Sequence, residues 1–360
     1  DVERSRGLGD VYKRQYLINA IMVVSREEFN MKLGIIGSGM IVYDLLTFID
    51  IIDEIELTAI LGRKESQEKI ETLINKHHIK KAYYDYDELL NDDEIDTIYV
   101  ALPNHLHYEY TKKALLHNKH VICEKPFTSN VNELDELIAL AKQQNCLLFE
   151  AITNQYLPTF KEIKEKISEI GKISIISSNY SQYSSRYNAF KRGEILPAFD
   201  VNKSGGALMD LNVYNIHFVV GLFGAPNKVE YFANIEKGID TSGVAILEYP
   251  TFKAICIGAK DCGAPIISTI QGDQGCVKID GPTSVLTDVQ ILRNGRDSEI
   301  LPTGNYHRMY SEFKVFAECI DNNDFTTCNK MLEHSRIVMD VLTKARQSAN
   351  IIFGCERDTK

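Results

Sequence analysis

The 360-residue sequence contains no tryptophan and no two cysteines spaced Cys-x-x-Cys. Its eight cysteines (Cys123, Cys146, Cys256, Cys262, Cys276, Cys319, Cys328 and Cys355) are scattered. That scatter argues against a zinc site or a disulfide frame, and it fits reduced thiols in a cytoplasmic setting. Excess positive charge is also missing. Forty Lys and Arg face fifty Asp and Glu, a net charge of −10, which argues against a nucleic-acid or anionic-membrane partner. No long apolar run is found near the start: the stretch 16–24 has nine residues, about half of what a bilayer-spanning helix needs. Internal repeats and low-complexity tracts are absent as well. What remains is an ordinary globular composition, 44% hydrophobic and 25% charged, with length enough for two domains.

Residues 1–30 stand apart. They carry five acids and five bases, so the whole negative balance belongs to 31–360. The run 9–15 resembles translated adaptor sequence, and Ser25-Arg26-Glu27-Glu28 is no signal-peptidase site. The expectation is a non-native or disordered extension, with Met31 as the natural start.

From Leu33 the pattern is sharp. Leu33, Gly34, Ile35 and Ile36 suit a strand buried on both faces. Gly37-Ser38-Gly39 breaks it, and Met40, Ile41, Leu45 and Leu46 follow at helical spacing. A strand, a tight glycine turn and a helix start bring free N–H groups together, which suits a pyrophosphate. Gly37, Ser38, Gly39, Met40 and Ile41 are the candidate contacts. Such a turn also merely joins strands to helices, and Val42 stands where the dinucleotide fingerprint has a small residue.

Further strands are expected at 56–61, 97–102, 120–123 and 146–149, with helices at 65–76, 106–117 and 131–144. Alternation of this kind indicates βαβ units and a parallel sheet, with ligands at the carboxyl ends of the strands. The second strand ends in Gly62-Arg63-Lys64, without the acid that grips an NAD ribose. Arg63 and Lys64 suit a 2′-phosphate, so NADP is favoured over NAD; as a bland alternative both are solvated helix-start charges. Leu102-Pro103-Asn104 with His107, and Glu124-Lys125-Pro126, place polar groups after the next two strands, where a bound nicotinamide ribose would lie, and are further candidate cofactor contacts.

These motifs, with Glu150-Ala151 and Gly205-Gly206-Ala207-Leu208-Met209-Asp210 followed by Tyr214, resemble the Gfo/Idh/MocA oxidoreductases. The resemblance runs from Met31 to about residue 350. It implies an α/β fold: an N-terminal Rossmann domain with a parallel sheet, and a C-terminal α/β domain with a large, open, mostly antiparallel sheet. The corresponding division is 31–152 and 153–360. It also implies that Lys125 lies beside nicotinamide and substrate. The Asp-x-x-x-Tyr form is similar to the dihydrodiol dehydrogenase and glucose–fructose oxidoreductase branch, whose members use NADP. Asn154-Gln155-Tyr156-Leu157 departs from the Arg-Phe-His run that relatives often carry.

In the second half a strand is expected at 172–181, successive antiparallel strands at 229–233, 242–247, 252–259, 266–271, 276–280 and 289–293, then helices at 308–320 and 330–348. The broad outer face of such a sheet commonly seals a homodimer or homotetramer. Tyr183 and Arg186 sit in a segment whose composition suits hydroxylated ligands, or equally a solvent-facing loop. Asp210, Tyr214 and His217 fall at i, i+4 and i+7, on one stripe of a helix. With Lys125 implied opposite, the expected chemistry is hydride transfer between NADP(H) and a hydroxyl or carbonyl carbon of a sugar, polyol or diol. In that reading Lys125 donates to the substrate oxygen, its pKa lowered by burial. Asp210 orients the hydroxyl, Tyr214 is the second proton carrier, and His217 is structural. No metal is expected. The rival reading is a regulator of the same fold that binds dinucleotide without catalysis.

Overall fold

The computed structural model describes residues 31–357; the expectation for 1–30 falls outside the described residues. Strand β1 (Met31–Ile36) is buried except at Lys32, as a strand covered on both faces must be. Helix α1 (Met40–Leu45) follows the glycine turn and tucks Val42 and Leu45 inward, so the larger third fingerprint residue is accommodated in the core. Then come β2 (Ile55–Leu61), α2 (Gln67–His77), β3 (Lys81–Tyr83), α3 (Tyr86–Leu90), β4 (Thr97–Val100), α4 (His107–Leu116), β5 (His120–Glu124), α5 (Val131–Gln143) and β6 (Leu148–Ala151). The six strands form one parallel sheet in the order β3-β2-β1-β4-β5-β6. The order reverses between β1 and β4, where a ligand crevice opens. The sequence reading passed over β3 and α3. Both are short: β3 is Lys81-Ala82-Tyr83 and α3 buries only Leu89 and Leu90, so neither carries an apolar period.

After α6 (Pro158–Lys166) the chain builds a second sheet from β7 (Ile173–Ser181), β8 (Lys228–Glu236), β9 (Ile239–Glu248), β10 (Lys253–Ala259), β11 (Ile267–Gly272), β12 (Gly275–Asp280), β13 (Val289–Arg293) and β14 (Glu299–Ile300). Their order is β14-β13-β12-β11-β7-β10-β9-β8. Neighbours run antiparallel except β7 and β10, which pair in parallel through seven registered residues. The succession expected over 229–293 is interrupted there, because β11 pairs with β7 and not with β10. Strand β7 enters the middle of the sheet, and the chain crosses beneath it before resuming at the β8 edge. Local sequence carries no trace of that insertion.

The crossing segment starts with α7 (Tyr187–Lys191) and ends in a π-helical turn, Leu208–Asn212, that runs into α8 (Val213–Phe223). Among the described residues this one stretch, 201–223, is long and apolar enough to span a bilayer, but 67% of its most apolar window lies buried inside the protein. It is the helix under the large sheet: Asn212 Nδ2 donates to Cys256 O at 2.9 Å and Asn215 Nδ2 to Ile257 O at 3.0 Å. The opposite face of the sheet is open, with Ile175 and Phe232 among its exposed side chains.

The last two helices, α9 (Tyr310–Asp321) and α10 (Phe325–Ser348), return to the first sheet. Phe313 stacks edge-on to Phe48 and Tyr99, and Phe316 lies 4.9 Å from Phe149. Arg308 pairs with Asp44 of α1, and Arg336 with Asp135 of α5. The chain thus crosses between its two sheets twice, and aromatic packing fixes their relative position.

Candidate active site

Between the sheets lies a cleft of about 1080 Å³. Gly37, Ser38, Gly39, Met40 and Ile41 line one wall, with Arg63, Lys64 and Lys69 at one end and Leu102, Pro103 and Asn104 below. Arg186, Pro197, Ala198, Lys203 and Asp210 come from the second half of the chain. Five basic side chains and only two acidic ones, Glu65 and Asp210, face this space, in a chain whose net charge is −10. A basic cleft in an acidic protein selects an anion.

The two loop glycines differ in what they do. Gly37 has φ +113°, and a Cβ there would lie 2.4 Å from Ala101 O, so the turn is possible only with glycine. At Gly39 a Cβ would meet nothing within 4 Å, and the backbone is extended. Its bare face opens toward the cleft, as a backbone cradle for a pyrophosphate requires. Arg63 and Lys64 are both exposed at the tip of β2, within the cleft wall.

Lys125 opens the loop after β5, where the Lys125–Pro126 peptide is cis. Its Nζ donates to Asp210 O at 3.0 Å, lies 3.4 Å from Asp210 Oδ1, and stands 4.9 Å from the centre of the Tyr214 ring. The π-helical turn and α8 thus deliver Asp210 and Tyr214 to the lysine, as the i, i+4 spacing implies. Burial by itself lowers the Lys125 pKa, but the acidic groups around it, Tyr214, Asp210 and Glu124, more than offset that and hold it above its ordinary value. The expected lowering is corrected: Lys125 is an ammonium. Burial acts against the Asp210 charge, yet Lys260 and Lys125 outweigh it and keep the carboxyl well below the usual range. Burial also raises the Tyr214 phenol, which is therefore neutral.

Three anticipated contacts face elsewhere. His107 is fully buried, its Nδ1 2.8 Å from Pro126 O and its Nε2 2.8 Å from Leu102 O. Two carbonyls invite an imidazolium, but burial and the Lys125 charge depress its pKa. A neutral ring braces the two loops without entering the cleft. Glu124 turns inward to accept from Tyr99, and burial raises its pKa. Tyr183 remains 44% exposed, its hydroxyl donating to Asn188 Oδ1 at 2.8 Å outside the cleft wall. His217 leaves the stripe: its ring sits between His334 and Glu150, at 2.9 and 3.5 Å.

One residue escaped the sequence reading. Lys260, just past β10 and only 2% exposed, donates to Asp210 Oδ2 at 2.7 Å. A lysine at the end of an apolar strand reads as a solvated strand terminus, and nothing in the local sequence points it at Asp210.

Two family profiles match the chain: "Oxidoreductase family, NAD-binding Rossmann fold" over residues 31–152 and "GFO/IDH/MocA C-terminal domain" over 160–277. The chain belongs to the Gfo/Idh/MocA oxidoreductase family. It is an NAD(P)-binding oxidoreductase, with the parallel Rossmann sheet and large mostly antiparallel sheet of that family. It is 34% identical to the scyllo-inositol 2-dehydrogenase (NADP(+)) IolU of Bacillus subtilis, over 91% of this chain and 99% of that protein. Identity to the mouse trans-1,2-dihydrobenzene-1,2-diol dehydrogenase is 25%, over 90% and 98%. The fold matches that of the 3-ketoreductase KijD10 of Actinomadura kijaniata, solved with NADP and TDP-benzene, at a TM-score of 0.78 with 21% identity. That match covers 89% of this chain and 98% of KijD10.

The contrast between the two glycines is open to measurement. Gly37→Ala should lose roughly 2–4 kcal/mol of stability, from the strained turn and the clash with Ala101 O. Gly39→Ala should keep its melting temperature yet bind the dinucleotide about tenfold more weakly, a loss of about 1.4 kcal/mol. Calorimetry and NADPH fluorescence titration separate the two. An equal stability loss in both variants would refute the assignment of Gly39 to the ligand.

Proposed function

We propose that the protein is an NADP(H)-dependent dehydrogenase/reductase that interconverts CH–OH and C=O on a sugar, polyol or diol. The observation that carries this reading is the convergence of the Lys125 ammonium and the neutral Tyr214 phenol on Asp210, which lines the cleft that the glycine loop also lines. The printed activities of IolU and of the mouse diol dehydrogenase support the substrate class. Gly37 to Ile41 would hold the pyrophosphate, Arg63 and Lys64 the 2′-phosphate, and Leu102 to Asn104 the nicotinamide ribose. The cofactor, when bound, supplies or takes up a hydride.

The protein's own share is placement and protons. In the reductive direction Lys125 Nζ donates to the carbonyl oxygen and gives up its proton as negative charge develops there. Asp210 accepts from a substrate hydroxyl and fixes the ring. Tyr214, its phenol kept neutral by burial, covers the ammonium and is the second donor. In the oxidative direction the alcohol proton must reach a free amine, a minor form of Lys125 at neutral pH. Intact Lys125, Asp210 and Tyr214 favour an enzyme over a non-catalytic dinucleotide sensor. Eight free cysteines support a reducing, cytoplasmic location. The open sheet face, where Ile175 and Phe232 are 44% and 60% exposed beside partly covered Val244, Ile246, Ile255 and Ile257, supports a homo-oligomer sealed through that sheet. Light scattering at micromolar concentration should give at least twice the 40.8 kDa chain mass; a single-chain mass would exclude it.

Loss of a charge-assisted contact to a 2′-phosphate costs about 1.5–3 kcal/mol, so Arg63→Ala should weaken NADPH roughly ten- to hundredfold and NADH hardly at all. Parallel titrations decide this, and equal losses for both cofactors would count against NADP.

Lys125→Met should keep NADPH affinity and lose roughly 10²–10⁴ in turnover on an active member of a polyol, sugar and dihydrodiol panel. Because Lys125 is held protonated, kcat/KM for oxidation should rise about tenfold per pH unit through the neutral range. Reduction should stay flat there. A flat oxidative profile, or full activity in Lys125→Met, would transfer the proton role to Tyr214.

A further inference from the structure

The charge on Asp210 is shared unequally. Lys125 approaches Oδ1 at 3.4 Å and spends its better hydrogen bond on the Asp210 carbonyl at 3.0 Å. Lys260 meets Oδ2 at 2.7 Å and Ala198 O at 2.7 Å, with its ammonium 4.3 Å above the Phe199 ring. Its side chain is 2% exposed, while that of Asp210 is 37% exposed. The Lys260 backbone N–H is held as well, donating to Thr241 O at 2.8 Å. One cation is therefore locked and the other is loosely tethered.

We propose that Lys260 is a positioning residue of this active site: it clamps Asp210 Oδ2 so that Oδ1 stays aimed into the cleft and Lys125 is free to turn to the substrate oxygen. The proposal rests on the hydride-transfer reading above. Its physical content is competition. A carboxylate with a single cationic partner holds that partner tightly, in a partly dry site most of all. Were Lys125 the sole partner of Asp210, moving its ammonium to the substrate would leave a half-buried carboxylate unpaired. With Lys260 fixed on Oδ2, Asp210 stays ionised throughout, and Lys125 moves at little cost. Oδ1 then accepts from a substrate hydroxyl next to the reacting carbon, which is how a vicinal diol or polyol would be told from a simple alcohol.

The groups facing Asp210 are few. Lys125 comes from the β5 loop, Lys260 from the end of β10, and Tyr214 from one turn further along its own helix. Arg186 and Lys203 line the same cleft. Asp240, on the far side of Lys260, is engaged with Leu208 N and Tyr231 Oη. Removing Lys260 leaves Lys125 as the one cation paired with Asp210 among the described residues.

Lys260→Met and Lys260→Gln should each lower kcat/KM for a vicinal diol or polyol roughly 10- to 100-fold, the worth of one charge-assisted hydrogen bond. NADPH affinity should stay within about twofold. The distinguishing sign is an acid limb in kcat/KM above pH 4 that the parent enzyme lacks, because Asp210 now protonates in the working range. Lys260→Arg, which keeps the charge, should recover at least about fivefold over Met and show no such limb. The glutamine variant, able to donate to Ala198 O, keeps the test alive should methionine fail to fold. Either neutral variant matching the parent would overturn the proposal, as would a loss of activity with an unchanged pH profile and an equal loss of NADPH affinity. Lys125→Met runs alongside: an active parent, a dead Lys125→Met and unaffected Lys260 variants would sink the Lys260 role alone. A parent inactive on the whole panel would sink both readings.

Discussion

The contact between Lys125 and Asp210 joins residues 85 positions apart and spans the two sheets. Lys125 is fixed by the first, at the carboxyl end of β5, and Asp210 by the helix beneath the second. Neither sheet alone brings the two side chains together. The geometry survives because α9 and α10 return to the first sheet and pack Phe313 and Phe316 against Phe48, Tyr99 and Phe149. Rings of this size bury the most apolar area per residue and resist sliding. Arg308 adds a direct tie to Asp44 on the helix that follows the glycine turn. The glycine loop and the helix that carries Asp210 and Tyr214 are thereby referenced to the same body of side chains.

What was legible in the sequence is what short-range physics writes there. The β1–glycine–α1 stretch could be read because a doubly buried strand leaves a continuous apolar run, and because Gly37 sits where only glycine fits. The i, i+4 spacing of Asp210 and Tyr214 could be read because both serve one helix face. Parallel pairing of β7 with β10 could not, since register between strands more than 70 residues apart has no local signature. Nor could Lys260, whose partner is 50 residues away. The charge state of Lys125 failed for a related reason. Burial was foreseeable, but the acidic groups that outweigh it are assembled only in three dimensions.

His107 shows how a correct location can hide a different role. A histidine after a loop at the carboxyl end of a strand reads as a ligand contact. Its two nitrogens instead meet Pro126 and Leu102 carbonyls, one from each loop that shapes the cleft floor. The ring holds the Lys125 loop against the Leu102–Asn104 loop, so its influence on a bound ligand passes through backbone placement. Asn104 continues the chain of constraints by donating to Ser204 O at 2.8 Å, just ahead of the Gly205–Asp210 run.

The charge pattern around the site points in one chemical direction. Glu124 and Glu312 lie close to it, and burial raises the pKa of both; Glu312 has no hydrogen-bond partner for either oxygen among the described residues. Lys125 and Lys260 pair with Asp210, and Arg308 pairs with Asp44. Three cations thus meet two carboxylates in these pairs, and the side chains that hold them are fixed before any substrate arrives. Positive potential held in place lowers the energy of an oxygen that is becoming an alkoxide, and it does so without rearrangement during the reaction. A carbonyl oxygen gains more from that field in the transition state than in the ground state, which is the condition for catalysis as opposed to binding.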